Sequence, residues 1–148
     1  MCNEISIYLC FSQFYSPQRK KFNYDIAVSK TTTQLGKSGE EKAVEFLEGH
    51  GIEILTRNFR SPYGEVDIIG RKGEQVIFFE VKTRTSDTCG YPEDSVTPKK
   101  KERLVETALF YLQEKNLLLN NWRIDVISIL LEENELKYEW FENAVTCD

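Results

Sequence analysis

Two short segments constrain this chain more than anything else in it. One is Gly64-Glu65-Val66-Asp67-Ile68-Ile69, the other Phe78-Phe79-Glu80-Val81-Lys82-Thr83-Arg84. Both alternate with the two-residue period of a β-strand, and Arg71-Lys72-Gly73-Glu74 between them reads as a tight polar turn. An antiparallel hairpin with Asp67 opposite Glu80 is expected. In that register Glu65, Asp67 and Ile69 share a face with Phe78, Glu80 and Lys82. Val66, Ile68, Ile77, Phe79 and Val81 make the other face, which is wholly apolar and must be core. Three carboxylates and an ammonium then gather on one side of a strand pair whose other side is buried.

Neighbouring carboxylates resist ionising together, and a divalent cation relieves the repulsion. Asp67 and Glu80 are hard oxygen donors of the kind magnesium takes, with water filling its other positions. Manganese is the other candidate. Such an ion lowers the pKa of its bound water and stabilises charge on a phosphoryl oxygen. Lys82 would point at the same spot, to orient the attacking water or neutralise developing charge. The simpler alternative is a surface hairpin with cross-strand ion pairs, for example Glu65 with Lys82.

The remaining elements follow from periodicity. From about Thr33 to His50, residues Ala43, Phe46, Leu47 and His50 recur at helical spacing, with Gly49 and Gly51 as the stop. Ser38 and Glu41 have capping-box spacing, so the helix starts there or a turn earlier. Glu41, Glu45 and Glu48 lie on a solvated stripe, whereas Glu40 falls on the inward face with Leu47. It is the expected third acid of the site, a capping or border role being the alternative. Strands are expected over Ile52–Phe59, Glu65–Gly70 and Gln75–Arg84, then a loop over 85–96. Thr97-Pro98 opens a second helix to about Lys115. Trp122–Leu131 and Leu136–Phe141 read as paired strands. The result is an α/β chain with a central mixed sheet flanked by helices. Residues 1–32 read as a poorly ordered N-terminal extension and 33–148 as one domain.

Charge narrows the partners. The chain of 148 residues carries a net charge of −5, which argues against a generic nucleic-acid coat. The charge is uneven: −1 over residues 1–56, +2 over 57–103 and −6 over 104–148. A polyanion would meet the middle segment. Lys99, Lys100 and Lys101 open a helix whose N-terminus also favours anions, and with Arg84 they are the expected phosphate contacts. A merely solvated lysine run is the alternative. Four scattered cysteines and a single His exclude a zinc centre of clustered ligands. No P-loop is present, so no nucleotide cofactor is expected. No apolar run is long enough to cross a membrane, and the N-terminus lacks the features of a signal peptide, so a cytoplasmic protein is expected. Arg123 and Asp125 read as a strand-border ion pair, and His50 as a cap or core-edge residue.

These residues carry a resemblance. The stretch Leu35-Gly36-Lys37-Ser38-Gly39-Glu40 with Ala43 and Phe46-Leu47 is the first part. Asn58-Phe59-Arg60, Gly64–Ile69, Phe79–Arg84, Val96 with Lys100, Ala108 with Tyr111-Leu112, and Arg123–Val126 complete it. Together they resemble the YraN family, in register from about residue 33 to 145. That bacterial family is largely uncharacterised and is assigned to the restriction-endonuclease-like superfamily, beside archaeal Holliday junction resolvases. The resemblance implies a restriction-endonuclease-like fold. It places the superfamily's D…E-x-K signature on Asp67, Glu80 and Lys82, its helix acid on Glu40, and the family's lysine after the loop on Lys100. Cys89-Gly90 stands where the family usually has an aromatic-Gly pair, and residues 1–32 have no counterpart. The expectation is a magnesium-dependent endonuclease acting on DNA, branched DNA included. A non-catalytic interaction domain that keeps the fold is the second reading. A homodimer is left open.

Overall fold

A computed structural model describes residues 18–24, 35–84, 97–132 and 135–145. Its elements run β1 (Gln18–Tyr24), α1 (Leu35–Gly49), β2 (Glu53–Arg60), β3 (Glu65–Lys72), β4 (Gln75–Arg84), α2 (Pro98–Glu114), β5 (Trp122–Glu132) and β6 (Glu135–Val145). Six strands form one sheet in the order β1-β6-β5-β4-β3-β2. Every neighbouring pair is antiparallel except β4 and β5, which run parallel. A parallel pair needs a long crossover, and the segment holding α2 provides it. The sheet is therefore mixed, with helices on both faces, as expected.

Local chemistry explains the element ends. Lys72 pairs with Gln75, leaving Gly73-Glu74 as a two-residue turn with Gly73 at φ +60°. Glycine takes that conformation without a Cβ clash. After α1, the Ile52 N–H reaches back to the Leu47 carbonyl, with Gly51 at φ +77°. This is the usual helix stop, with glycine in the left-handed position. The Thr97 side chain accepts from the Lys100 N–H and caps α2, with Pro98 in its first turn.

Each face of the sheet buries its own core. Ala43, Phe46 and Leu47 of α1 pack on Ile68, Ile77, Phe79, Ile127, Ile129, Tyr138 and Trp140. Leu104, Ala108, Tyr111 and Leu112 of α2 pack on Val66, Ile69, Val76, Phe78, Ile124, Val126 and Phe141. Phe78 and Phe79 are both fully buried on opposite faces, each contributing roughly 1.5–3 kcal/mol of burial.

Four expectations change. First, residues 18–24 of the expected extension form β1, paired antiparallel with β6. Lys20 and Lys21 reach Glu142 and Glu139 on that neighbour, so the basic run Arg19-Lys20-Lys21 lies in an edge strand matched to acidic residues. Residues 1–17 and 25–34 lie outside the described residues, as do loop 85–96 and all four cysteines. Second, β6 extends to Val145, past the expected Phe141, and continues to pair with β5 across an irregularity between Ile124 and Val126.

Third, the supposed polar face of the hairpin is largely core. Ile69 and Phe78 are fully buried beneath α2, because a sheet with helices on both sides has no solvated face at its centre. Val66 also joins that side, away from Ile68. The alternation breaks at Asp67, between the Phe59–Val66 and Arg57–Ile68 pairs, where Asn58 sits at φ +51°. Fourth, Asp125 is fully buried and lies at no border. It accepts from Arg123, from Trp140 Nε1 at 2.8 Å and from the Asn143 N–H at 2.7 Å. Burial pushes its carboxyl up, against the opposing pull of Arg123 and these hydrogen bonds. His50 is a core-edge residue, its Nδ1 on the Phe46 carbonyl and its ring beside Phe46 and Trp140. No helix among the described residues is long and apolar enough to cross a membrane.

Candidate acid–lysine site where two strands part

The site forms because β3 leaves β4 before β4 ends. The last β3–β4 pair is Ile68 with Phe79, while β4 stays paired with β5 as far as Arg84 and Leu130. The Val81 N–H, just beyond that last pair, donates to Asp67 Oδ2 at 2.7 Å. The break in alternation at Asp67 turns its carboxylate into this gap. The expected register is met where the ladder is formed: Ile69 opposite Phe78 and Ile68 opposite Phe79 bring Asp67 level with Glu80, just past the last pair.

Glu80 is only 4% exposed, on the same side of β4 as Phe78. A charge so buried needs partners. It has two. Lys82 Nζ lies 2.8 Å from Glu80 Oε1, and Lys100 Nζ, from the first turn of α2, donates to the same oxygen. Among the described residues no contact holds Oε2. Burial lowers the Lys100 ammonium pKa, but its bond to Glu80 and the Glu80 charge outweigh this, and the net shift is upward. Asp67 is also displaced upward, away from an ordinary carboxyl. Burial first, then the Glu80 charge, push it up to about 6; the Val81 bond opposes this, Glu40 adds to it, and Lys100 opposes it weakly.

The structure brings Asp67, Glu80, Lys82 and Lys100 together. Glu40 stands further off on α1, where Asn58 Nδ2 donates to its Oε2 at 3.0 Å. Its charge still reaches Asp67. Among the described residues no three His, Cys, Asp or Glu side chains converge as a ready-made ligand set. Glu65 pairs with Arg60 at 3.6 Å, in place of the cross-strand pair with Lys82. Lys99 is exposed at the start of α2, Lys101 is part-buried beside it, and Arg84 is part-buried and engaged at the end of β4.

Two contacts of the site are absent from the sequence reading: Asn58 on Glu40, and Lys100 on Glu80. Asn58, which holds Glu40, was visible as an Asn inside a strand pattern, a residue type depleted in strands and tolerant of positive φ. Lys100 is expected from the sequence as a phosphate contact and, through the family resemblance, as the lysine after the loop, but nothing in the spacing ties it to Glu80. The first turn of α2 also holds no acid and three lysines. Helix starts favour negative charge, so this one is locally unfavourable without an external anion. Glu80 satisfies Lys100.

The fold and site thus define an α/β protein whose acids and lysines converge where two strands of a mixed sheet part. The chain belongs to the uncharacterised protein family UPF0102, the YraN family, whose model matches residues 39–129. It is 42% identical over 109 residues to a UPF0102 protein of Syntrophus aciditrophicus, covering 74% of this chain and 86% of the relative. A UPF0102 protein of Caldicellulosiruptor saccharolyticus is 45% identical over 104 residues, covering 70% and 88%. One from a Sulfurihydrogenibium species is 43% identical over 116 residues, covering 78% and 97%. Among solved structures, SfsA of Pyrococcus furiosus in complex with Ca2+ is 16% identical, covering 90% of this chain and 80% of that one. Its TM-score against this chain is 0.37.

Proposed function

We propose that this protein is a magnesium-dependent endonuclease that hydrolyses DNA phosphodiester bonds in the cytoplasm, with a restriction-endonuclease-like arrangement of its site. The observation that supports this best is Glu80. It is a buried carboxylate bound by two ammonium groups, beside an aspartate that ionises reluctantly. A static structural role would need one lysine, and Asp67 would be better as an amide.

The donor set fits magnesium, which usually takes one or two carboxylates and keeps several waters. Asp67 and Glu80 would hold it, and Glu40 would meet its water shell. Manganese suits the same oxygen donors. Bound there, the ion would supply positive charge to lower the pKa of a water and to stabilise a phosphoryl oxygen. Lys82 is the residue to orient the attacking water or neutralise charge developing on phosphorus. Lys100 holds Glu80 in place and presents a second cation to the phosphate. Lys99, Lys101 and Arg84 would meet flanking phosphates, which suits a helix start crowded with lysines.

The test is a cleavage assay on supercoiled, linear, single-stranded and four-way-junction DNA with magnesium, manganese or EDTA. Cleavage by the wild type with metal is expected, lost in Lys82→Ala and Asp67→Asn while circular dichroism shows both folded. No cleavage of any substrate, or cleavage indifferent to both substitutions, would overturn the reading. Binding without cleavage would point to a non-catalytic domain.

A further inference from the structure

Beside this site, the turn between β2 and β3 and the first turns of α2 enclose a groove of about 740 Å³. Arg60, Lys99, Lys100 and Arg103 line it, against one carboxylate among the described residues, Glu65. Glu65 is engaged by Arg60, and Lys100 by Glu80. Lys99 and Arg103 have no ion-pair partner among the described residues, so the described lining of the groove keeps an excess of positive charge.

The groove also holds Tyr63, which is 49% exposed. The residue sits on a braced turn. Ser61 Oγ accepts from the Tyr63 N–H at 3.1 Å and the Gly64 N–H at 3.2 Å. It also bonds Oγ1 of Thr107, a fully buried residue of α2, at 3.0 Å. The Ser61 N–H to Gly64 carbonyl bond closes the turn at 2.8 Å. Gly64 lies so close to the helix that a Cβ there would stand 3.5 Å from Arg103 Cβ. The Tyr63 ring meets Phe110 edge-on at 6.1 Å. An aromatic ring is thus held on a fixed turn with half its surface open, directly beside cations.

We propose that this groove takes an unpaired nucleotide, its base stacked on Tyr63 and its phosphates on Lys99 and Arg103, with Arg60 at the rim. Cations alone would serve a duplex backbone equally well. An open aromatic face adds something a duplex cannot use, because paired bases already stack on one another. Any unstacked base offers a face to Tyr63, whatever its identity. The inference rests on the nucleic-acid reading above and deepens it. The substrate class becomes DNA with a single-stranded segment: a frayed end, a gap, a flap or an opened branch point.

The test is equilibrium binding by fluorescence anisotropy in EDTA, so that cleavage plays no part. The probes are labelled oligothymidylate, an abasic strand of equal length and a blunt duplex. Wild type should prefer oligothymidylate to both others. Tyr63→Ala should weaken oligothymidylate binding roughly 5- to 100-fold and leave the abasic strand unchanged, while Tyr63→Phe keeps wild-type behaviour. Lys99→Ala and Arg103→Ala should weaken all probes alike and flatten their salt dependence. Oligothymidylate binding unaffected by Tyr63→Ala, or weakened no more than abasic binding, would overturn the proposal. If duplex binding or cleavage persists alongside that result, only the groove assignment falls. If no probe binds and no DNA is cleaved, the nucleic-acid reading falls and takes the groove with it.

Discussion

Replacing Asp67 with Asn changes the charge of the centre while nearly preserving its shape. The Asp67 carboxyl is pushed from its ordinary 3.8 up to about 6. Fully expressed in stability, that displacement is worth roughly 3 kcal/mol. The side chain is part-buried, and solvent screening reduces the expectation to about 1–2 kcal/mol. The sign follows from which state holds the proton more tightly. For an acid whose folded pKa lies above its unfolded one, that state is the folded chain. Its stabilising share is complete below the unfolded pKa of 3.8, falls as the pH rises and is lost once the pH passes about 6. Asn has no charge to lose, and its amide oxygen still accepts the Val81 N–H. Asp67→Asn should therefore melt higher than wild type at neutral pH in EDTA, by roughly 2–8 °C for a chain of this size. The difference should vanish near pH 4. Thermal denaturation followed by circular dichroism across that range measures it. A variant less stable than wild type at neutral pH, or a difference independent of pH, would refute the reasoning. Magnesium should then stabilise wild type by mass action more than the variant.

Three further substitutions probe the rest of the structure. Glu80→Ala strips the part-buried Lys82 and Lys100 of their shared, buried counter-charge and should cost about 1–3 kcal/mol. A raised urea midpoint would show instead that like-charge repulsion with Asp67 dominates. Asp125→Ala leaves Arg123, the Trp140 indole N–H and the Asn143 N–H without their buried acceptor and should cost roughly 3–5 kcal/mol. Calorimetry checks it, and a loss comparable to a surface substitution would contradict the described network. Gly70→Ala would put a Cβ 2.5 Å from Ile52 Cγ2 and 3.2 Å from the Glu53 carbonyl, and should lower the melting temperature by overpacking worth about 1–3 kcal/mol. Gly49→Ala, with open space around its Cβ, is the control and should hold or raise it.

Much of the frame was legible in the sequence. β4 has the expected limits, and α1, β2, β3, α2 and β5 lie within a few residues of theirs, because period, caps and glycine turns are local properties. The hairpin register was legible for the same reason: a two-residue turn at Gly73 leaves little freedom. Edge strand β1 was not, because a segment such as Gln18–Tyr24 becomes a strand only when β6 offers its edge. Its lysines find their partners only when the acids of β6 stand opposite them.

The acids and lysines of the site were visible as a pattern, and their order along the chain already implied Asp67 beside Glu80. The sequence by itself determined the strands other than β1, the helices and which side chains could do chemistry. Only the tertiary structure decided that the face carrying Glu80 is buried under α2, and that the first turn of this helix delivers Lys100 onto Glu80. Only it showed Asp67 turned into the gap left by the parting strands, and Tyr63 braced at the rim of a cationic groove. Hydrogen-bond period and turn chemistry act over a few residues. Lys100 and Glu80 are 20 residues apart, and their meeting depends on how a crossover packs a whole helix against the sheet.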